Sequence, residues 1–173
     1  MENIKNLSII GLGKLGSSMV GAFASRGFNV IGVDINKNYL DLCKERFSGK
    51  LSHMKLICSD LNEFEFISVK MDVVHAALIF EYLDVEKLLQ KISTWLKPNG
   101  YLSVVLQLES RTSAAISETE FQSLKLLSPI HNLIDPKKFS KMCFEFGFKE
   151  MEGYEVSLPG EKKFRVLLLQ MFR

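Results

Sequence analysis

The chain has 173 residues, with 22 Lys and Arg against 20 Asp and Glu and a formal net charge of +2. That length carries one domain, residues 1–173, with a sizeable core, and the near balance of charge gives no strong field toward nucleic acid or an anionic membrane. No apolar stretch approaches the roughly 18 to 20 residues that span a bilayer, and the first six residues lack the apolar core of a secretory signal.

Three cysteines, Cys43, Cys58 and Cys143, are widely spaced and follow neither a zinc pattern nor a disulfide framework. They read as reduced thiols of a cytoplasmic protein, acting as small hydrophobes in two helices and one strand. The short Lys137-Lys138 and Lys162-Lys163 pairs read as a solvated helix end and a turn.

In chain order, an apolar run over 7–12 predicts a buried strand that ends at glycines. Met19, Val20, Phe23 and Ala24 then recur at helical spacing, and Gly27 stops the helix. Residues 29–35 form a second strand. Asn36 caps a helix facing inward with Leu40, Cys43 and Phe47 and closing near Gly49. A third strand covers 54–59, before Asp60. This β-α-β-α-β order predicts a parallel sheet with helices on its faces.

The alternation continues with a fourth strand over 71–80. Asp84 caps a helix bearing Leu88, Leu89, Ile92, Trp95 and Leu96. Pro98-Asn99-Gly100 breaks it, and a fifth strand covers 101–108. Residues 109–134 resist assignment: they are polar first, then apolar around Leu124–Leu127, with a turn signal at Ser128-Pro129. Asp135 and Pro136 open a further helix whose Phe139, Met142, Cys143 and Phe146 face inward, and Gly147 ends it. Two last strands, 152–158 and 164–172, flank Pro159-Gly160. Their connection is too short for a parallel crossover, so they pair antiparallel.

The turn Gly11-Leu12-Gly13-Lys14-Leu15-Gly16 matches G-x-G-x-x-G, after a strand and opening a helix. The first glycine permits the tight turn, the second lets backbone approach a ligand, and the third lets helix pack on strand. Asp34, 18 residues beyond Gly16 at the end of the next strand, is placed to accept both hydroxyl protons of a ribose. It reads as a solvent-accessible loop carboxylate. This geometry points to an adenosine-containing cofactor and leaves two open, S-adenosylmethionine and NAD.

The stretch from Met71 to Leu108 resembles class I S-adenosylmethionine-dependent methyltransferases. Met71-Asp72-Val73-Val74 and Leu78-Ile79-Phe80-Glu81-Tyr82-Leu83-Asp84 look like that family's fourth strand and following loop. Leu96-Lys97-Pro98-Asn99-Gly100-Tyr101-Leu102 looks like the turn into its fifth strand. Phe146-Gly147-Phe148 and the terminal hairpin match its end. The resemblance implies a Rossmann-like, doubly wound, mostly parallel seven-stranded α/β sheet with an antiparallel C-terminal hairpin. It also implies that Gly11, Gly13, Lys14, Leu15 and Gly16 pass under the methionine and ribose, with Asp34 and Ile35 at the sugar. Asp60 and Leu61 would meet the adenine, and Ala76, Ala77 and Leu78 would line the methionine side. Asp60 reads equally as a turn acid before Asn62.

The sequence departs from that family at Ile9, where an acid usually precedes the first glycine by two, and at Leu15, where its loop usually carries the last glycine. No helix is predicted ahead of the first strand. Residues 7–36 also resemble the opening of NAD-dependent nucleotide-sugar dehydrogenases, but those enzymes carry catalytic residues in a further domain, for which 173 residues leave no room. The methyl-transfer reading therefore leads. An NAD-binding protein, or a non-catalytic module that docks a partner, is the alternative.

Methyl transfer asks the protein for alignment, desolvation and sometimes a base. A small-molecule acceptor would approach over the C-terminal ends of strands four and five. Glu81, Tyr82, Gln107, Glu109 and His131 are in reach there, and His131 is suited to general-base work. Each also reads as an ordinary loop or strand-end residue. His75, mid-strand, reads as a hydrogen-bonded core residue. No Asn-Pro-Pro-aromatic tetrad follows strand four, which weakens an amide or nucleobase nitrogen as acceptor.

Overall fold

The computed structural model describes residues 4–47, 52–66, 69–109, 131–158 and 162–172. In chain order the elements are β1 (Asn6–Ile10), α1 (Gly13–Ala24), β2 (Asn29–Asp34), α2 (Lys37–Phe47), β3 (Met54–Cys58) and β4 (Met71–Ala77). There follow a 3-10 turn (Phe80–Tyr82), α3 (Val85–Trp95), β5 (Leu96–Gln107), α4 (Pro136–Glu145), β6 (Phe148–Ser157) and β7 (Lys163–Met171). Seven strands form one sheet in the order β3-β2-β1-β4-β5-β7-β6. The five strands from β3 to β5 run parallel. β7 lies antiparallel to both β5 and β6.

The inner strands β1, β2 and β4 are largely apolar because helices cover the sheet on both sides, whereas the edge strand β3 leaves Lys55 and Cys58 exposed. Ile9, Leu12, Val20, Ala24, Val30, Leu40 and Cys43 pack β1 and β2 against α1 and α2. A larger cluster, including Phe80, Trp95, Leu106, Phe139 and Phe148, fills the other side under α3 and α4. The sequence signals at helix starts act as read. Asn36 Oδ1 accepts the Asn38 amide at 3.0 Å, and Asp84 accepts that of Lys87. Asp135 accepts those of Lys137 and Lys138, with Pro136 at the first helical position.

Three expectations shift. β4 ends at Ala77, three residues short of the apolar run: Leu78 turns into the left-handed region at φ +54, and Phe80 returns to the core inside the 3-10 turn. β5 starts at Leu96, which pairs with Met71 before a register shift carries the chain past Pro98 and Asn99. β6 starts at Phe148 and runs through a bulge near Met151. Cys58 is exposed rather than packed, because β3 is the sheet's edge, while Cys43 and Cys143 are buried. The apolar patch at 124–127, its turn, Gly49 and Pro159-Gly160 lie outside the described residues. Among those described, no helix is long and apolar enough to cross a membrane.

Candidate functional site

The chain winds outward from β1 to β2 and β3, then returns to place β4 on the other side of β1. The carboxyl ends of β1 and β4 therefore flank a topological switch point, where open α/β sheets leave a crevice for ligands. The glycine turn opens directly from β1 into this crevice. Gly11 has φ +76 and accepts no side chain easily, since a Cβ there would lie 3.2 Å from the Ile79 side chain. Nothing lies within 4 Å of a Cβ built on Gly13, so that flank of the turn is open. A Cβ on Gly16 would meet the Gly11 carbonyl oxygen at 2.6 Å, so this glycine lets α1 close onto the turn. Gly11 and Gly16 have the steric surroundings their places in the motif predict, with Ile79 the unforeseen cover over Gly11. Lys14 and Leu15 lie in the first turn of α1.

Asp34 departs from expectation. It is only 8% exposed, and both of its oxygens accept backbone N–H groups: Oδ2 from Leu12 at 2.6 Å, Oδ1 from Asn36 at 2.7 Å. The carboxylate ties the glycine turn to the end of β2. A carboxylate has about four lone-pair directions, so two remain for hydroxyl donors. Ser59 donates its amide to the Asp34 backbone carbonyl at 3.1 Å, joining the end of β3 to the same residue.

Three large apolar side chains stand in water around this point: Leu15 is 69% exposed, Ile35 68% and Leu78 38%. Leu78 also holds its positive φ with its amide bonded to the Val105 carbonyl, a conformation that is costly for a branched residue. Strain of this kind gathers at functional sites. Apolar walls, an open backbone flank at Gly13 and a carboxylate with spare acceptor capacity suit the flat base and vicinal hydroxyls of an adenosine group. The other candidates divide. Asp60 serves its own turn, with Oδ1 accepting from the Asn62 amide and side chain. Leu61 and Ala76 are buried in the core, so Ala76 offers only backbone, while Ala77 is half-buried. Leu61 also lines a depression of about 310 Å³ between the turn at 61–63 and α3, beside Leu83, Leu88 and Lys91. The glycines and Asp34 do not line it.

The acceptor-side candidates come together more closely than their spacing in the chain suggests. Glu81 is 1% exposed, its Oε1 accepts the Gln107 amide at 2.8 Å, and its carbonyl accepts that of Asn132 at 2.8 Å. The Tyr82 and His131 rings meet edge to face, 5.3 Å apart. Burial pushes the Glu81 carboxyl above the usual carboxylate range, against the opposing pull of the Gln107 N–H. Burial, with the charge of Lys162, pushes His131 below the usual imidazole range. Both shifts favour the uncharged forms of the two side chains. Glu109 is exposed at the end of β5. His75 is half-buried in the middle of β4, with Nδ1 and the Ser103 hydroxyl 3.0 Å apart.

The profile of a family described as a methyltransferase domain matches residues 10–104, more than half the chain. The chain belongs to the methyltransferase domain family. Its strand order and antiparallel β7 agree with solved methyltransferases. The N-methyltransferase NodS of Bradyrhizobium japonicum superposes with a TM-score of 0.72 at 12% identity, over 98% of this chain and 87% of that one. Phosphoethanolamine N-methyltransferase 2 of Haemonchus contortus, solved with S-adenosyl-L-methionine, gives 0.76 at 17% identity, over 100% of this chain and 50% of that one. A putative S-adenosylmethionine-dependent methyltransferase of Listeria monocytogenes gives 0.72 at 13%, over 98% and 92%. At such identities the likeness is one of fold. In sequence, a probable 3-hydroxyacyl-CoA dehydrogenase of Caenorhabditis elegans is 36% identical over 73 residues, 41% of this methyltransferase-family chain and 24% of the relative. The chain thus spans about a quarter of the curated relative it matches.

Ile79 is the residue beside the glycine turn that the sequence reading did not single out. A signal existed: two branched apolar residues directly after two alanines, at the point where β4 must end for a crevice to open.

Proposed function

We propose that this chain binds S-adenosylmethionine at the carboxyl ends of β1, β2 and β4 and directs its methyl group to a small-molecule acceptor. The observation that carries the reading is the convergence of Asp34, open Gly13 and exposed Leu15, Ile35 and Leu78 on the switch point. Asp34 would accept the ribose hydroxyls with the lone pairs left by Leu12 and Asn36. Ile35 would stand beside the sugar, Asp60 and Leu61 would border the base, and the turn from Gly11 to Gly16 with Ala77 and Leu78 would face the amino-acid portion. The bound cofactor supplies an electrophilic methyl group on a sulfonium. The chain's own part is to align the acceptor over β4 and β5, exclude water there, and take a proton at His131 if the acceptor must lose one. Free thiols in all three cysteines fit a reducing compartment, the cytoplasm.

The test is a thermal shift with S-adenosylmethionine, S-adenosylhomocysteine and NAD. Stabilisation by the first two and none by NAD supports the reading. The dehydrogenase name of the nematode relative and the G-x-G-x-x-G spacing favour a second reading, in which the same turn holds NAD; an NAD shift alone would replace the first. No shift with any of the three would favour a non-catalytic docking module.

A further inference from the structure

Glu81 stands out among the described residues. Its Oε2 is shut off from solvent and lacks any hydrogen-bond partner, while Oε1 is held by the Gln107 amide. A buried carboxyl with one oxygen unpaired is a costly arrangement. Its place in the chain is near the glycine turn: the Ile79 side chain lies against Gly11, and two links of about 3.8 Å carry the chain from Ile79 to Glu81.

We propose that Glu81 senses the charge on the bound cofactor, protonated when the site is empty or holds the demethylated product and ionised when the sulfonium is present. The inference rests on the reading above. S-adenosylmethionine and S-adenosylhomocysteine share the same amino acid and nucleoside and differ by one methyl group and one positive charge at sulfur. In a poorly solvated site a cation favours the charged form of a neighbouring acid. On binding the sulfonium, the O–H bond of Glu81 breaks and the proton passes to the buffer. Once the methyl group has left, the sulfur is neutral and Glu81 takes a proton back. The carboxylate thus holds substrate more strongly than product.

The groups facing Glu81 fit this role. Tyr82, on its own turn, is a phenol pushed further from ionisation by burial and by Glu81 itself. β5 offers the uncharged Gln107. The segment bonded to the Glu81 carbonyl carries His131, whose charged form burial and the charge of Lys162 disfavour. Burial favours the protonated acid, and its Oε2 is out of reach of water and of any donor among the described residues.

Isothermal titration of the full chain in phosphate and in Tris, between about pH 6 and 8, counts the protons. We expect S-adenosylmethionine to release up to one proton and to bind more tightly as pH rises, by at most about tenfold per unit. S-adenosylhomocysteine should release none and show a flat profile. Glu81→Gln keeps an acceptor for the Gln107 amide; it should abolish the release and reduce the preference for substrate over product by about tenfold, one unit of lost coupling. Should that variant fail to fold, sinefungin on the unmodified chain, with an amine in place of the sulfonium methyl, should release the proton as well. Equal proton counts for the two natural ligands, or release that persists in Glu81→Gln, would overturn this proposal and leave the proposed function standing. Failure of both ligands to bind would remove the proposed function and this inference with it.

Discussion

Asp34 accepts the amide hydrogen of Leu12 at 2.6 Å, so the carboxylate that ends β2 also holds the turn that ends β1. One residue therefore both assembles the crevice and, on our reading, grips the ligand. Asp34→Ala should lose ligand binding and also stability, because the buried Leu12 amide and the part-buried Asn36 amide lose their acceptor, at about 1–3 kcal/mol for the buried one when left unsatisfied. Urea denaturation should show a lower midpoint at unchanged slope, and titration calorimetry should show no heat with S-adenosylhomocysteine. A variant as stable as the parent would mean that water replaces the carboxylate and that the loop needs no clamp.

Glycines 13 and 16 should separate in the same assays. Gly13→Ala meets open space but keeps a left-handed backbone at φ +39, a cost of about 1–2 kcal/mol. Its methyl group would project from the flank we assign to the ligand, so binding should fall more than stability. Gly16→Ala drives a Cβ onto a backbone oxygen, and misfit of this kind costs about 1–3 kcal/mol. Stability should fall first there. Equal loss of binding and stability in both variants would argue against an open face at Gly13.

The parallel sheet was legible because alternating apolar strands and capped helices follow local rules, and the antiparallel end because its connection is short. What escaped was whatever depends on pairing across the sheet. Phe80 extends the apolar run of β4 without extending the strand, since hydrophobicity alone cannot separate a strand from a buried turn. Asp34 was visible as a residue, but its bond to Leu12 spans 22 positions and appears only once β1 and β2 are in register. The Glu81 contact with Gln107 needs β4 and β5 side by side. Cys58 was misread because its exposure follows from β3 being an edge, which no local pattern announces.

That exposure gives a labelling test. Cys58 pairs in register with Asp34, and its thiol points to the Ile35 carbonyl at 3.6 Å. Cys43 and Cys143 are buried, and burial pushes both thiols up, away from the reactive thiolate. Ellman's reagent should modify one thiol in the native chain and three in denaturant. S-adenosylhomocysteine at ten times its Kd should slow the native reaction about tenfold if ligand and reagent exclude one another. Labelling that ignores the ligand would move the adenosine site away from the ends of β2 and β3.

His75 gives a stability prediction with a definite sign. Burial holds its imidazole below the ordinary value, so the native chain binds fewer protons there than the unfolded chain. Its contribution is complete above about pH 6.5, the unfolded value, and is lost as pH falls toward the folded one, with a slope of at most about 1.4 kcal/mol per unit. His131 shifts in the same direction. Glu81, raised, works oppositely: its contribution is complete in acid and is lost as pH rises from the ordinary carboxylate value through the folded one. Urea midpoints at pH 5.5, 6.5 and 7.5 should fall toward acid in the parent. In His75→Leu the fall should be less than half as large, with an overall loss because the Ser103 hydroxyl has lost its partner. Adding Ser103→Ala should recover part of that loss, since removing both partners leaves neither unsatisfied. An unchanged acid slope in His75→Leu would show that the buried imidazole is not the group that titrates.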